Sequence, residues 1–163
     1  MNDEELGSCH SEADAETQRA IRYQLTHMLS RREHSQQECV DKLLQKGFDE
    51  TVIWDVLSQF VAKQIQSDAR FAYHHIRHAM HKGQGWMRIQ QSLQAHRLAS
   101  HLIEEALTEL QPDWYTLAHQ VKVKRFGESI EQDFALKQKQ MRFLQYRGFR
   151  HEEIDHAVNY YTV

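Results

Sequence analysis

The chain is poor in the residues that end helices or staple small folds: it holds one proline, six glycines and two cysteines. Cys9 and Cys39 are too few and too unlike in setting to form a disulfide framework, which points to a reducing cytoplasm. No run of about 18 apolar residues occurs, so nothing is expected to span a bilayer. The opening "MNDEELGSCHSEADAETQ" is acidic and polar, without the basic start and apolar centre of a signal peptide. Marks of catalysis are missing too. The pair Gly83 and Gly85 in "HKGQGW" lacks the lysine–hydroxyl ending of a phosphate loop and follows a helical stretch, so it reads as an inter-helix turn. There is no G-x-S-x-G elbow, and Cys39 falls on an apolar stripe with Val40 and Leu43, where a buried structural thiol is the expectation. No enzyme is indicated.

Charge is unevenly distributed. The formal net charge is −3, but residues 1–19 carry six acids against Arg19, and the remainder holds 19 bases and 17 acids. An acidic, disordered arm at 1–19 ahead of a weakly basic body is the expectation.

From Ala20 onward apolar residues return at helical spacing, as in Ile21, Leu25, Met28 and Leu29, or Val52, Ile53, Val56, Leu57 and Phe60. Strand-type alternation is absent over any useful length, so the fold class is all-α. Ser35 followed by Glu38 forms a capping box, Asp49 can cap the next helix, Ser67–Asp68 opens another, and Pro112–Asp113 precedes a stripe beginning at Trp114. Gly47 and Gly148 sit where left-handed residues end helices. These signals cut the body into about nine helices.

A phrase repeats along it. Anchored on Phe48, Leu98 and Phe149, a leucine stands five residues before (Leu43, Leu93, Leu144) and an isoleucine five after (Ile53, Ile103, Ile154), at offsets of 50 and 51 residues. A helical stretch precedes each copy, at 20–31, 68–81 and 114–125, so the unit is three helices. Units this small bury little alone and should share apolar faces with neighbours. The expected division is 20–67, 68–111 and 112–163. The middle copy departs from the others in carrying Arg97 where they have glycine.

Two clusters invite a binding function. His74, His78 and His81 in "HHIRHAMH" share a helix face, but Ile76, Ala79 and Met80 claim the buried side and no cysteine or carboxylate set completes a metal site. No metal or cofactor is expected. Between residues 122 and 150 stand Lys122, Lys124, Arg125, Lys137, Lys139, Arg142, Arg147 and Arg150, opposed by Glu128, Glu131 and Asp133. A positive surface of this kind neutralises phosphates and releases counterions without reading bases. The interleaved Phe126, Phe134, Phe143, Tyr146 and Phe149 fit core spacing and are read as packing. A sequence-specific DNA reader is disfavoured, because the helices after each turn begin "DETVIWD", "ASHLIEE" and "HEEIDHA", which would set carboxylates against phosphates.

The fragments "LSRREHSQQECVDKLLQKGF", "SDARFAYHHIR", "KGQGWMRIQQSL", "DWYTLA", "KRFGE" and "KQKQMRFLQYRGF", in this order, resemble the RecX family of bacterial recombinase regulators. The similarity covers residues 20–160. Where the family tends to carry G-Y-G-P around the glycine pair, this chain has Gln84, Trp86 and Met87. The resemblance implies three tandem three-helix repeats in an elongated, curved array. It also implies a cytoplasmic regulator, not an enzyme, that binds the RecA filament on DNA. Such a regulator restrains ATP hydrolysis, strand exchange and co-protease activity in DNA repair and the SOS response. A monomer suits a filament groove, and on this reading Arg88 joins the Lys122–Arg150 cluster facing it. The alternative is a helical module that binds single- or double-stranded DNA without specificity.

Overall fold

A computed structural model describes residues 3–159, with side chains from Ser11 onward. Among the described residues there are nine helices and no strand: α1 (Asp3–Arg31), α2 (Gln36–Gln45), α3 (Glu50–Ala62), α4 (Asp68–His81), α5 (Trp86–Gln94), α6 (Ser100–Leu110), α7 (Trp114–Phe126), α8 (Phe134–Tyr146) and α9 (His151–Asn159). They form three successive helix triplets, as the repeated phrase predicts. The chain divides into two compact units, Met1–Phe71 and Ala72–Val163, with the division inside α4.

In the first unit α1, α2 and α3 pack on one another around Ile21, Leu25, Leu43, Ile53 and Leu57, all fully buried. The predicted caps are made: the Glu38 amide donates to Ser35 Oγ at 3.1 Å, and the Thr51 and Val52 amides donate to the Asp49 carboxylate. The Glu38 side chain is engaged by Arg32 and by the Lys42 ammonium at 3.3 Å. Burial alone would raise this carboxyl, but the bonds from Arg32 and the charges of His34 and Arg32 bring it down to about 2. The loop before α2 is tied to the loop before α4 by buried Gln66, whose Nε2 donates to the His34 carbonyl and to Asp68 Oδ1. Cys39 is fully buried and its thiol is pushed up to about 12 by burial, which suits an inert packing thiol.

The sequence pointed to a disordered arm over 1–19, but from Asp3 onward this stretch is the beginning of α1. The core-forming residues of α1 begin only at Ile21, and residues 11–16 are exposed. Strong helix formers such as Ala13, Ala15, Glu12, Glu16 and Gln18 extend the helix outward, with acids at the end the helix dipole favours.

The second unit holds two apolar clusters. Ala72, Ile76, Ile89, Leu93 and Ala106 form one, with Ile103 and Leu107 packed against it; Ala118, Leu144, Phe149, Ile154 and Val158 form the other. The repeat leucines Leu43, Leu93 and Leu144 are thus each central to a different core. Left-handed residues close the middle helix of each triplet: Gly47 at φ 89°, Arg97 at φ 48° and Gly148 at φ 94°.

Candidate functional site

The candidate site is built where the α4–α5 turn meets the α8–α9 turn. Helix α5 starts at an N-cap, Gly85, that has no side chain to offer its first amides. A carbonyl from the third repeat takes that role: the Met87 amide donates to the Gly148 carbonyl at 3.0 Å, and the Gly85 amide donates to the Arg147 carbonyl at 2.8 Å. Two arginines close the junction from opposite sides. Arg88 Nη1 donates to the Tyr146 carbonyl at 3.2 Å, and Arg147 Nη1 donates to the Lys82 carbonyl at 2.9 Å. Each guanidinium also lies over a ring, Arg88 over Tyr146 at 5.0 Å and Arg147 over Phe143 at 5.1 Å.

Of the nine basic residues expected to form a binding surface, Lys122 does not belong to it. It is 1% exposed, and its ammonium donates to the carbonyls of Gly127 at 2.9 Å and Ser129 at 2.8 Å. Burial pushes its pKa below the usual lysine value, against the opposing pull of Glu128 and Glu131. Lys122 therefore holds the chain leaving α7, where a cation also suits the negative end of the helix dipole. Its sequence position gave the signal: it lies four residues after buried Ala118, on the core stripe.

Lys124, Arg125, Lys139, Arg142 and Arg150 are exposed, and Arg88, Lys137 and Arg147 are partly so. Three of the nine are brought together with Lys82, which sequence reasoning did not single out for binding, and with His81 of the histidine cluster. Lys124, Arg125 and Arg147, with His81 and Lys82, line a groove of about 410 Å³ together with apolar Met80, Val121 and Phe143. No carboxylate lines it. An anion entering a groove lined by several cations and no carboxylate meets a concentrated positive potential. Arg88 lies instead beside a second groove, of about 720 Å³, together with Tyr146. Lys137, Lys139, Arg142 and Arg150 line neither groove.

The aromatic residues divide in a way that the sequence reading missed. Phe149 is buried, and Phe126 meets Phe143 edge to face at 5.3 Å, as packing requires. Phe134 and Tyr146, also expected in the core, are 76% and 74% exposed. Tyr146 lies two residues beyond buried Leu144, which places it across the helix from the core. Among the described residues His74, His78 and His81 are exposed, and no group of three His, Cys, Asp or Glu side chains is placed to hold a metal ion. No described helix is long and apolar enough to cross a membrane.

Family models match the chain three times in order: the first three-helix domain of RecX over residues 26–60, the second over 67–107 and the third over 111–158. A protein named regulatory protein RecX from Acinetobacter baylyi is 37% identical, over 81% of this chain and 82% of its own. Proteins of the same name from Vibrio cholerae (40%, over 80% and 86%) and Halorhodospira halophila (33%, over 91% and 91%) are similar as well. Among solved structures, a crystal structure of regulatory protein RecX superposes with a TM-score of 0.74 at 19% identity, over 97% of this chain and 79% of that one. RecX from Lactobacillus salivarius gives 0.70 at 18%, over 88% and 96%; at these identities the likeness is one of fold. Sequence identity sustained over most of the chain, and three domain matches in the right order, lead to one conclusion: the chain belongs to the RecX family.

Proposed function

We propose that this chain is a non-catalytic regulator that binds the RecA–DNA filament and lowers its ATP hydrolysis, strand exchange and co-protease activity. The observation that carries the reading is the carboxylate-free groove between the second and third repeats, bordered by Lys82, Lys124, Arg125 and Arg147. A cation-lined groove suits the phosphates and acidic surfaces of a nucleoprotein filament. The repeats, divided as 20–67, 68–111 and 112–163, give a modular chain several weak contacts on a repeating partner, and later contacts then form at high effective concentration. Names of relatives support a regulatory role rather than a catalytic one.

The test is RecA ATPase on single-stranded DNA, titrated with the wild-type chain and with the double variant Lys124→Glu/Arg125→Glu. Helicity should be retained, because both residues are exposed. Inhibition should weaken at least tenfold, and the exposed pair Lys139→Glu/Arg142→Glu should weaken it further. Unchanged inhibition in both variants refutes the assignment. A general DNA-binding module would instead bind RecA-coated and bare single strands alike, which titration at two salt concentrations distinguishes.

A further inference from the structure

The larger groove on this unit has a different chemistry from the cation-lined one. Four glutamine amides line it (Gln90, Gln91, Gln94 and Gln145), with Ser92 and the Met87 thioether, and no carboxylate. Tyr146, an exposed residue, is part of the lining. The Arg88 guanidinium lies 5.0 Å from the ring centroid while its Nη1 is tied to the Tyr146 carbonyl, so the guanidinium is fixed over one face of the ring. An aromatic ring exposed to solvent at the end of a helix costs hydration and contributes nothing to the core. Arg142, exposed, lies one helical turn before Tyr146. Arg147, the next residue along the chain, opens onto the cationic groove.

We propose that this groove receives an unstacked nucleobase of a single-stranded nucleic acid, with the base on the Tyr146 ring and the adjoining phosphates on Arg142 and the neighbouring cationic groove. Each part of the ligand finds its complement. An aromatic ring offers a stacking face to any base, and carboxamides, which both donate and accept, match base edges of every type. The volume is within the range that takes up a small organic group. The same lining suits an acidic peptide less well, because its amides carry no charge and its one guanidinium is already engaged with Tyr146. A duplex keeps its bases stacked and cannot present one to the ring. The proposal rests on the second and third repeats meeting nucleic acid at their junction, and gives that contact a preference for single strands.

The experiment measures binding of the full chain to a fluorescein-labelled oligothymidylate and to a duplex of equal length, without RecA, over a range of salt. Tyr146→Ala should weaken single-strand binding about tenfold, within the roughly 5- to 150-fold span of one base stack. Duplex binding and the salt slope should stay unaltered, and Tyr146→Phe and Tyr146→Trp should retain the wild-type affinity. Single-strand binding within twofold of wild type for Tyr146→Ala overturns the proposal, as does equal loss for both DNAs. A third outcome also overturns it: unaltered oligonucleotide binding with weakened binding to RecA alone, which would give the groove to a protein. Because RecA is absent from the main measurement, failure of filament inhibition leaves this result standing, and the reverse holds as well.

Discussion

A Cβ atom on Gly85 would fall 2.5 Å from the carbonyl carbon of Gly148, and one on Gly148 would fall 2.4 Å from Cβ of Arg88. The second and third repeats thus touch backbone to backbone at a point where neither tolerates a side chain. Gly85 has an ordinary φ of −82°, so the requirement at that position is room rather than conformation. Gly148 needs both, since its φ is 94°.

Three glycine-to-alanine variants separate the two effects in urea denaturation. Gly47→Ala meets no atom within 4 Å and should cost only the left-handed strain, about 1 kcal/mol. Gly85→Ala should cost about 1–3 kcal/mol through overpacking against backbone that cannot yield. Gly148→Ala carries both penalties and should be the most damaging. Equal losses at Gly47 and Gly148 would show that the junction does not constrain the third repeat.

Arg97 occupies the left-handed position that Gly47 and Gly148 fill in the other repeats, with φ 48°. Arg97→Gly relieves that strain at some cost in chain entropy. A net gain of about 0.5–1 kcal/mol in the same denaturation assay is expected. A loss would mean that the arginine side chain contributes more than its backbone costs.

Lys122→Met keeps the length of the stem but leaves the Gly127 and Ser129 carbonyls without their ammonium. Losing hydrogen bonds to a charged group of this kind costs about 1.5–3 kcal/mol. The effect should be local: amide exchange over 127–133 should quicken while α1–α3 stay protected. By contrast Lys124→Met, at an exposed site, should leave stability within about 0.5 kcal/mol of wild type.

Glu38 makes acid stability measurable. Its carboxyl is held at about 2 in the folded chain against a normal value of 4.5, so the folded state favours the ionised form. That stabilisation is complete above about pH 4.5 and is lost as the pH falls toward 2. Allowing for solvent screening around half-exposed Arg32, Glu38→Gln should cost about 1–2 kcal/mol at pH 7. The gap between variant and wild type should close as the pH falls through that window. A gap independent of pH would assign the loss to packing instead.

The repeat was legible because it is written in core residues, where burial forces the type: Leu43, Leu93 and Leu144 are each essentially buried. Caps at Ser35, Asp49 and Asp113 were legible for the same reason, since an orphan amide demands a short oxygen-bearing side chain. Surface chemistry was less so. Lysine bonded to backbone carbonyls and lysine in water are the same letter, and only the four-residue step from Ala118 separates Lys122 from its basic neighbours. Tyrosine likewise serves a core or a platform equally well, and Tyr146 is told apart by its place across the helix from Leu144. Gly85 read as a turn former because nothing local reveals the Gly148 backbone, more than sixty residues further along the chain.

The bonds that seal this junction join residues 58 and 65 positions apart. During synthesis the second repeat therefore leaves the ribosome with the Gly85 and Met87 amides still hydrated, and it waits for its successor before that turn can lock. A nascent chain stalled short of Gly148 carries an unfinished middle segment, so the last repeat to be made also completes the one before it.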